Sequence, residues 1–129
     1  MDWSQMTVAL GVGFTSRADE SALFQALEAA CGEGAVDVVA TAEDKAMQAP
    51  LRNAAARLGL SVLPVPEMAL KAMGPHVLTC SVRSLSARGV GSVAEAAALA
   101  AAGAGARLDG PRTVSADGQV TTAIARSGA

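Results

Sequence analysis

Two glycines spaced Gly11-x-Gly13, with Ser16 three positions on, follow an apolar run and precede a helical pattern. In that setting glycines let a backbone approach an anion at a helix N-terminus. Ser16 stands where the dinucleotide fingerprint has its third glycine, and no acid closes the second apolar run where that fingerprint needs one, although Glu43 is near. A nicotinamide or flavin is therefore not expected, while an anion site at Gly11, Gly13, Thr15 and Ser16 and a plain tight turn both stay open. The stretch Thr41-Ala42-Glu43-Asp44-Lys45 puts three charges on one short loop past the second apolar run, at the edge where ligands of open α/β sheets collect. A solvated connection whose acids favour the next helix N-terminus explains it equally well. Arg17, Lys45, Arg83 and Arg88 fall in expected loops. A polycarboxylate ligand needs such donors, and isolated surface cations are the ordinary alternative.

Other chemistries are poorly provided for. His76 is the one histidine, beside the turn signal Gly74-Pro75, and Cys31 and Cys80 lie far apart with no ligand at metal spacing, so no metal site is expected. Neither a Ser-His-Asp set nor a Walker loop is present. Ten basic against twelve acidic residues give a formal charge of −2, and aromatic residues make up 2%. Nucleic-acid binding by a basic field or a stacking platform is thereby disfavoured. The segment Met1 to Gln5 lacks a secretory pattern, and the most apolar stretch, Ala94 to Ala106, contains Glu95 and two glycines. It falls short of the roughly 20 residues a membrane span needs. No membrane association is expected, and the cytoplasm, a reducing compartment, is the expected location.

These residues must be positioned by a 129-residue chain that is 51% hydrophobic, enough for one domain over 1–129 with frayed ends at 1–6 and 127–129. Thr7 to Phe14 reads as a strand covered on both faces. Ser16 or Asp19 can cap a helix carrying Leu23, Ala26, Leu27 and Ala30, stopped by Gly32 and Gly34. A strand over Val36 to Thr41, a helix over Gln48 to Leu58 closed by Gly59, and a short strand over Leu60 to Leu63 follow. Pro64 and Pro66 open a short helix that Gly74-Pro75 ends, and His76 to Gly91 reads mainly as loop. Ser92 and Glu95 form a capping box for a helix from Val93 to about Ala102. Asp117-Gly118 marks a two-residue hairpin between residues 112–115 and 119–125. The expected fold is α/β: a layered domain with a mixed, mostly parallel sheet flanked by helices and ending in a β-hairpin.

Val8-Ala9-Leu10-Gly11-Val12-Gly13, Ala40-Thr41-Ala42-Glu43-Asp44-Lys45 before a helix ending Arg57-Leu58-Gly59-Leu60, and Gly89-Val90-Gly91-Ser92 running into Val93 to Leu99 occur in this order. With Pro111-Arg112 and Gly118 to Ala125, they resemble the CobE family, which is similar to the C-terminal domain of the CbiG cobalamin-biosynthesis proteins. Longer relatives usually follow the glycine pair with a cysteine and basic residues. This chain has Phe14-Thr15-Ser16-Arg17, so no thiol role is carried over.

The resemblance implies a part in making the corrin ring, with a precorrin or other corrinoid intermediate as ligand and other pathway enzymes as partners. It implies no cofactor. One reading is a carrier or accessory protein of the aerobic pathway, binding through Gly11, Gly13, Thr15, Ser16, Arg17, Thr41, Lys45, Arg88 and Ser92. The alternative is a hydrolase opening a lactone on a precorrin or cobalt-precorrin, with Glu43, or Glu95, as general acid or base. A partner subunit docked on another biosynthetic enzyme is a third reading.

Overall fold

A computed structural model describes residues 7–32, 36–103 and 105–127, the side chains of Arg83, Ala87 and Arg88 excepted. The chain runs β1 (Val8–Phe14), α1 (Glu20–Cys31), β2 (Val38–Ala42), α2 (Glu43–Ala46), α3 (Ala49–Arg57), β3 (Val62–Val65), α4 (Glu67–Ala72), α5 (Val82–Arg88), α6 (Val93–Ala102), β4 (Arg107–Leu108), β5 (Thr113–Val114) and β6 (Val120–Arg126). The sheet order is β3-β2-β1-β6-β4, with β5 also on β6. Strands β1, β2 and β3 pair in parallel, while β1, β4 and β5 each pair antiparallel to β6. Five strands thus share a direction and β6 opposes them, so the sheet is mixed, with two parallel and three antiparallel pairings.

Alternation along β1 sends Leu10 and Val12 to one face, where they meet Leu23 and Leu27 of α1 and Leu51, Ala54 and Ala55 of α3. The other face is built from small residues. Ala9, Gly11, Ala40, Ala42 and Ala125 are all buried there, under the alanine-rich α6. A Cβ on Gly11 would lie 1.8 Å from the Ala94 carbonyl oxygen and 2.8 Å from the Ala98 nitrogen. Helix and strand backbones are therefore in direct contact, and glycine is the residue that permits it.

Several elements differ from the sequence expectation. Residues 43–46 form a turn of helix rather than a loop. Leu60, expected at the start of β3, donates its N–H to Ala55 O at 2.9 Å and belongs to the end of α3. The strand begins at Val62 and keeps Pro64 because β3 is an edge. Within the expected loop 76–91, Ser81 caps α5 by accepting the Ser84 N–H at 3.3 Å. The C-terminal hairpin forms at the expected place with a wider loop: Ser115 and Val120 close residues 116–119 through a bond of 2.8 Å. A two-residue type I′ loop needs positive φ at both central positions. Among the described residues every positive φ belongs to glycine, so Gly118 (φ 75°) adopts it and Asp117 does not.

Of the helix stops, Gly32 follows α1 and Gly34 lies outside the described residues. So do the expected frayed ends, save Ser127, which is anchored: its N–H donates to Thr7 O and its hydroxyl accepts the Thr7 N–H, both at 2.9 Å.

Because the Gly11 contact is backbone to backbone, Gly11→Ala should cost at least the ~1–3 kcal/mol typical of overpacking. Gly74→Ala, with open space around the new Cβ, should stay within about 0.5 kcal/mol of the parent. Urea unfolding of both variants checks this; equal stabilities would show that α6 does not press on β1.

Candidate functional site

The parallel strands end together at one edge, so the segments after Phe14, Ala42 and Val65 lie side by side. Helix α6 runs against β1: Ala94 sits over Gly11 and Gly13, while Ala98 and Leu99 pack with Ala9. Its N-terminus therefore reaches the same edge. The β5–β6 loop arrives there too, since Val120 pairs with Phe14.

A hollow of about 370 Å³ opens at this edge. Its walls are Gly13, Phe14 and Thr15 from β1 and its turn, Ser81 and Ser84 at α5, Val93 of α6, and Arg112, Val114, Gly118, Gln119 and Thr121 around the hairpin. Two other hollows match or exceed it in size. One of about 420 Å³ between α1 and β6 has Asp109 as its one charged residue, and one of about 460 Å³ beside β3 carries Arg52. Neither lies where strand ends, a helix N-terminus and loops converge, the usual ligand position in such sheets.

Most polar groups around the hollow are already paired. Thr15 N–H donates to Gln119 O at 3.0 Å, and the Thr15 hydroxyl bonds the Gln119 side-chain oxygen. Thr121 Oγ1 donates to Gly13 O at 3.2 Å, and Ser84 Oγ to Val90 O at 2.8 Å. Lys45 places Nζ 5.0 Å from the centre of the Phe14 ring, a cation–π contact that sets a positive charge beside the hollow. Arg112 is half-buried, and its Nε is buried without a hydrogen-bond partner.

Of the residues the sequence singles out, Gly13 and Thr15 line the hollow and Lys45 adjoins it through Phe14. Ser16 and Arg17 are exposed on the turn after β1 and are not part of its wall. Gly11 lies under α6, and Thr41 is buried, donating its hydroxyl to Val12 O at 2.7 Å. Ser92 is buried as the α6 cap, accepting the Glu95 N–H at 3.3 Å. The Arg88 and Arg83 side chains lie outside the described residues. Glu43 is exposed beside Asp44 and Glu67 in a separate hollow of about 180 Å³.

Glu95 departs most from its expected role. Its carboxylate does not turn back to Ser92 as a capping box would. Oε1 accepts the N–H groups of Leu78 (2.7 Å) and Thr79 (2.8 Å), and Oε2 accepts the Thr79 hydroxyl (2.8 Å) and the Arg112 N–H (2.7 Å). With the side chain 0% exposed and four donors engaged, it clips α6 to two loops and presents no free oxygen to a substrate. Arg112, Phe14, Ser81, Ser84 and Gln119 are among the wall residues that sequence reasoning did not single out as site residues. Arg112 and Gln119 had stood out only within pieces of the resemblance. Elsewhere, burial raises the Cys31 thiol above its usual range.

Comparison with known proteins places these observations. Residues 8–125 match the model of a family described as "Cobalamin synthesis G C-terminus". The chain is similar to the crystal structure of CobE, a protein from the cobalamin (vitamin B12) biosynthetic pathway, at 29% identity and TM-score 0.83, over 94% of this chain and 90% of that one. It is also similar to the cobalamin biosynthesis protein chiG from Agrobacterium tumefaciens str. C58, at 44% identity and TM-score 0.71, over 95% of this chain and all of that one. No curated protein sequence matches it significantly. No helix among the described residues is long and apolar enough to cross a membrane.

Removing the Glu95 carboxylate strands buried N–H groups at about 1–3 kcal/mol each. Glu95→Ala should therefore lose about 3 kcal/mol or more in denaturant unfolding, and exposed Glu43→Ala within about 0.5 kcal/mol. Comparable losses would contradict the clip. In the hairpin loop, the Ser115 hydroxyl and then the Gln119 N–H hold the Asp117 carboxyl below its ordinary value of 3.8. Their contribution is complete above that value and is lost as pH falls through the lower folded-state pKa. An NMR titration of the Asp117 carboxyl carbon should give a midpoint below 3.8; one at or above it would contradict those bonds.

Proposed function

Because the chain belongs to the family of the cobalamin synthesis G C-terminus, we propose that it holds a carboxylate-rich corrinoid or precorrin intermediate at the C-terminal edge of its sheet. It serves there as a carrier or accessory protein of corrin assembly. The observation that carries this reading is the makeup of the hollow: an apolar floor from Phe14, Val93 and Val114, with Arg112 in its wall and Lys45 beside it. A precorrin presents the complementary surface, a broad apolar ring fringed with acetate and propionate arms.

Size limits how much of the ligand enters. At about 370 Å³ the hollow lies near the lower end of small-molecule sites, ~300–1,000 Å³, so it takes one edge of a tetrapyrrole with its acid arms. Helix α5, whose cap Ser81 and residue Ser84 form part of the wall, also exposes Val82 and Leu85, apolar surface for the rest of the ring. The wall offers donors and hydroxyls rather than a base, which favours holding over acid–base chemistry. Of the sequence candidates, Gly13, Thr15 and Lys45 keep a place in this reading.

The test is titration of the purified chain with cobyrinic acid, a corrinoid polycarboxylate, followed by its visible spectrum. A saturable change is expected. Lys45→Ala should weaken binding by up to about fivefold, since an exposed ion pair contributes ~0–1 kcal/mol. A spectrum unaffected by protein would overturn the reading. Turnover of a lactone-bearing precorrin to a product of changed mass would favour lactone hydrolysis with Glu43 as acid or base.

A further inference from the structure

We propose that Arg112 is the principal carboxylate-binding residue of this chain, its guanidinium receiving one acid arm of the ligand inside the hollow while Glu95 fixes its position from behind. The inference rests on the polycarboxylate reading and assigns it a residue.

The first ground is the buried, unpartnered Arg112 Nε. A buried donor on a charged group is costly to leave unpaired, and native structures hold few such atoms. Its neighbours do not supply a partner. The ion pairs among the described residues, Arg57–Glu20 at 3.5 Å and Arg126–Asp109 at 3.0 Å, do not include it. Glu95 does contact Arg112, but at the main-chain N–H, at 2.7 Å. Its other accepting positions are filled by Leu78 and Thr79. A direct Glu95–guanidinium bridge, which would silence the charge, is thereby excluded, and the backbone of Arg112 is pinned.

The second ground is where Arg112 lies. Arg112 lines the hollow at the convergence of β1, α5, α6 and the hairpin, where the hydroxyls of Thr121 and Ser84 already donate to backbone carbonyls. Among the described wall residues, Arg112 carries a buried side-chain nitrogen that lacks an acceptor. Nε is closed to solvent, so a carboxylate entering from the hollow would pair with the Nη groups of the same guanidinium, a charge-assisted contact. The α6 N-terminus at Val93 adds partial positive charge on the same side.

The experiment uses the full chain, its Arg112→Gln and Arg112→Lys variants, and two probes: cobyrinic acid, and benzene hexacarboxylate, a polycarboxylate without a corrin ring. The Arg112 Nε–H resonance should shift with either probe. Arg112→Gln should weaken cobyrinic acid binding tenfold or more, beyond the effect of Lys45→Ala, and Arg112→Lys should recover only part. Neither variant should lower the thermal midpoint, because each keeps the main-chain bond to Glu95. A shift with benzene hexacarboxylate but not with cobyrinic acid would sustain Arg112 as an anion site and remove the corrinoid. An Nε–H resonance indifferent to both probes, or Arg112→Gln binding cobyrinic acid as the parent does, would overturn the assignment.

Discussion

The closest constraint in the molecule is the contact between Gly11 on β1 and the backbone of α6 at Ala94 and Ala98. A strand and a helix meet this closely only where side chains are nearly absent, so one face of the sheet is glycine and alanine and its helix is mostly alanine. The opposite face, under α1 and α3, carries the leucines and valines that supply most of the apolar volume. One consequence is positional: with α6 held at a fixed height against β1, its N-terminal turn must stand over Gly13, at the edge where the parallel strands end.

The Glu95 clip builds on that placement. One turn into α6, the carboxylate reaches to the segment before α5 and to the residue before β5, two stretches with no ladder partners of their own at those points. The hollow therefore owes its shape to a buried polar contact anchored on a tightly packed helix. Buried networks of this kind specify geometry when every member is satisfied, and all four donors to Glu95 lie within 2.8 Å. Lys45 enters differently, through its stack on Phe14, and is correspondingly more exposed to solvent and salt.

Legibility from sequence followed local physics. The apolar runs of β1 and β2, the Asp19 cap, the helix closed by Gly59 and the turn near Gly118 are each announced within a few residues of themselves. What a residue does across the fold was not so announced. Glu95 has the spacing of a capping box, yet tertiary donors from Leu78, Thr79 and Arg112 outcompete the local one. Gly11 belongs to a partial dinucleotide-fingerprint pattern but is required by helix packing. Helix α5 was hidden by serines that read as loop, although Ser81 and Gly89 bracket it as cap and stop. Arg112 carries no local signal: it lines a cavity that only the assembled sheet creates.

Held together, these contacts describe an alanine-packed sheet whose strand ends and clipped loops enclose a hollow lined by Arg112, and the proposal seats an acidic, ring-shaped ligand there. A crystal structure of the chain with bound cobyrinic acid examines that directly. It should show one edge of the corrin in the hollow beside Phe14 and Val93, with an acid arm at ~2.7–3.0 Å from the Arg112 guanidinium. A corrin lodged instead against α1, or at the rim with Arg112 still unpaired, would contradict it.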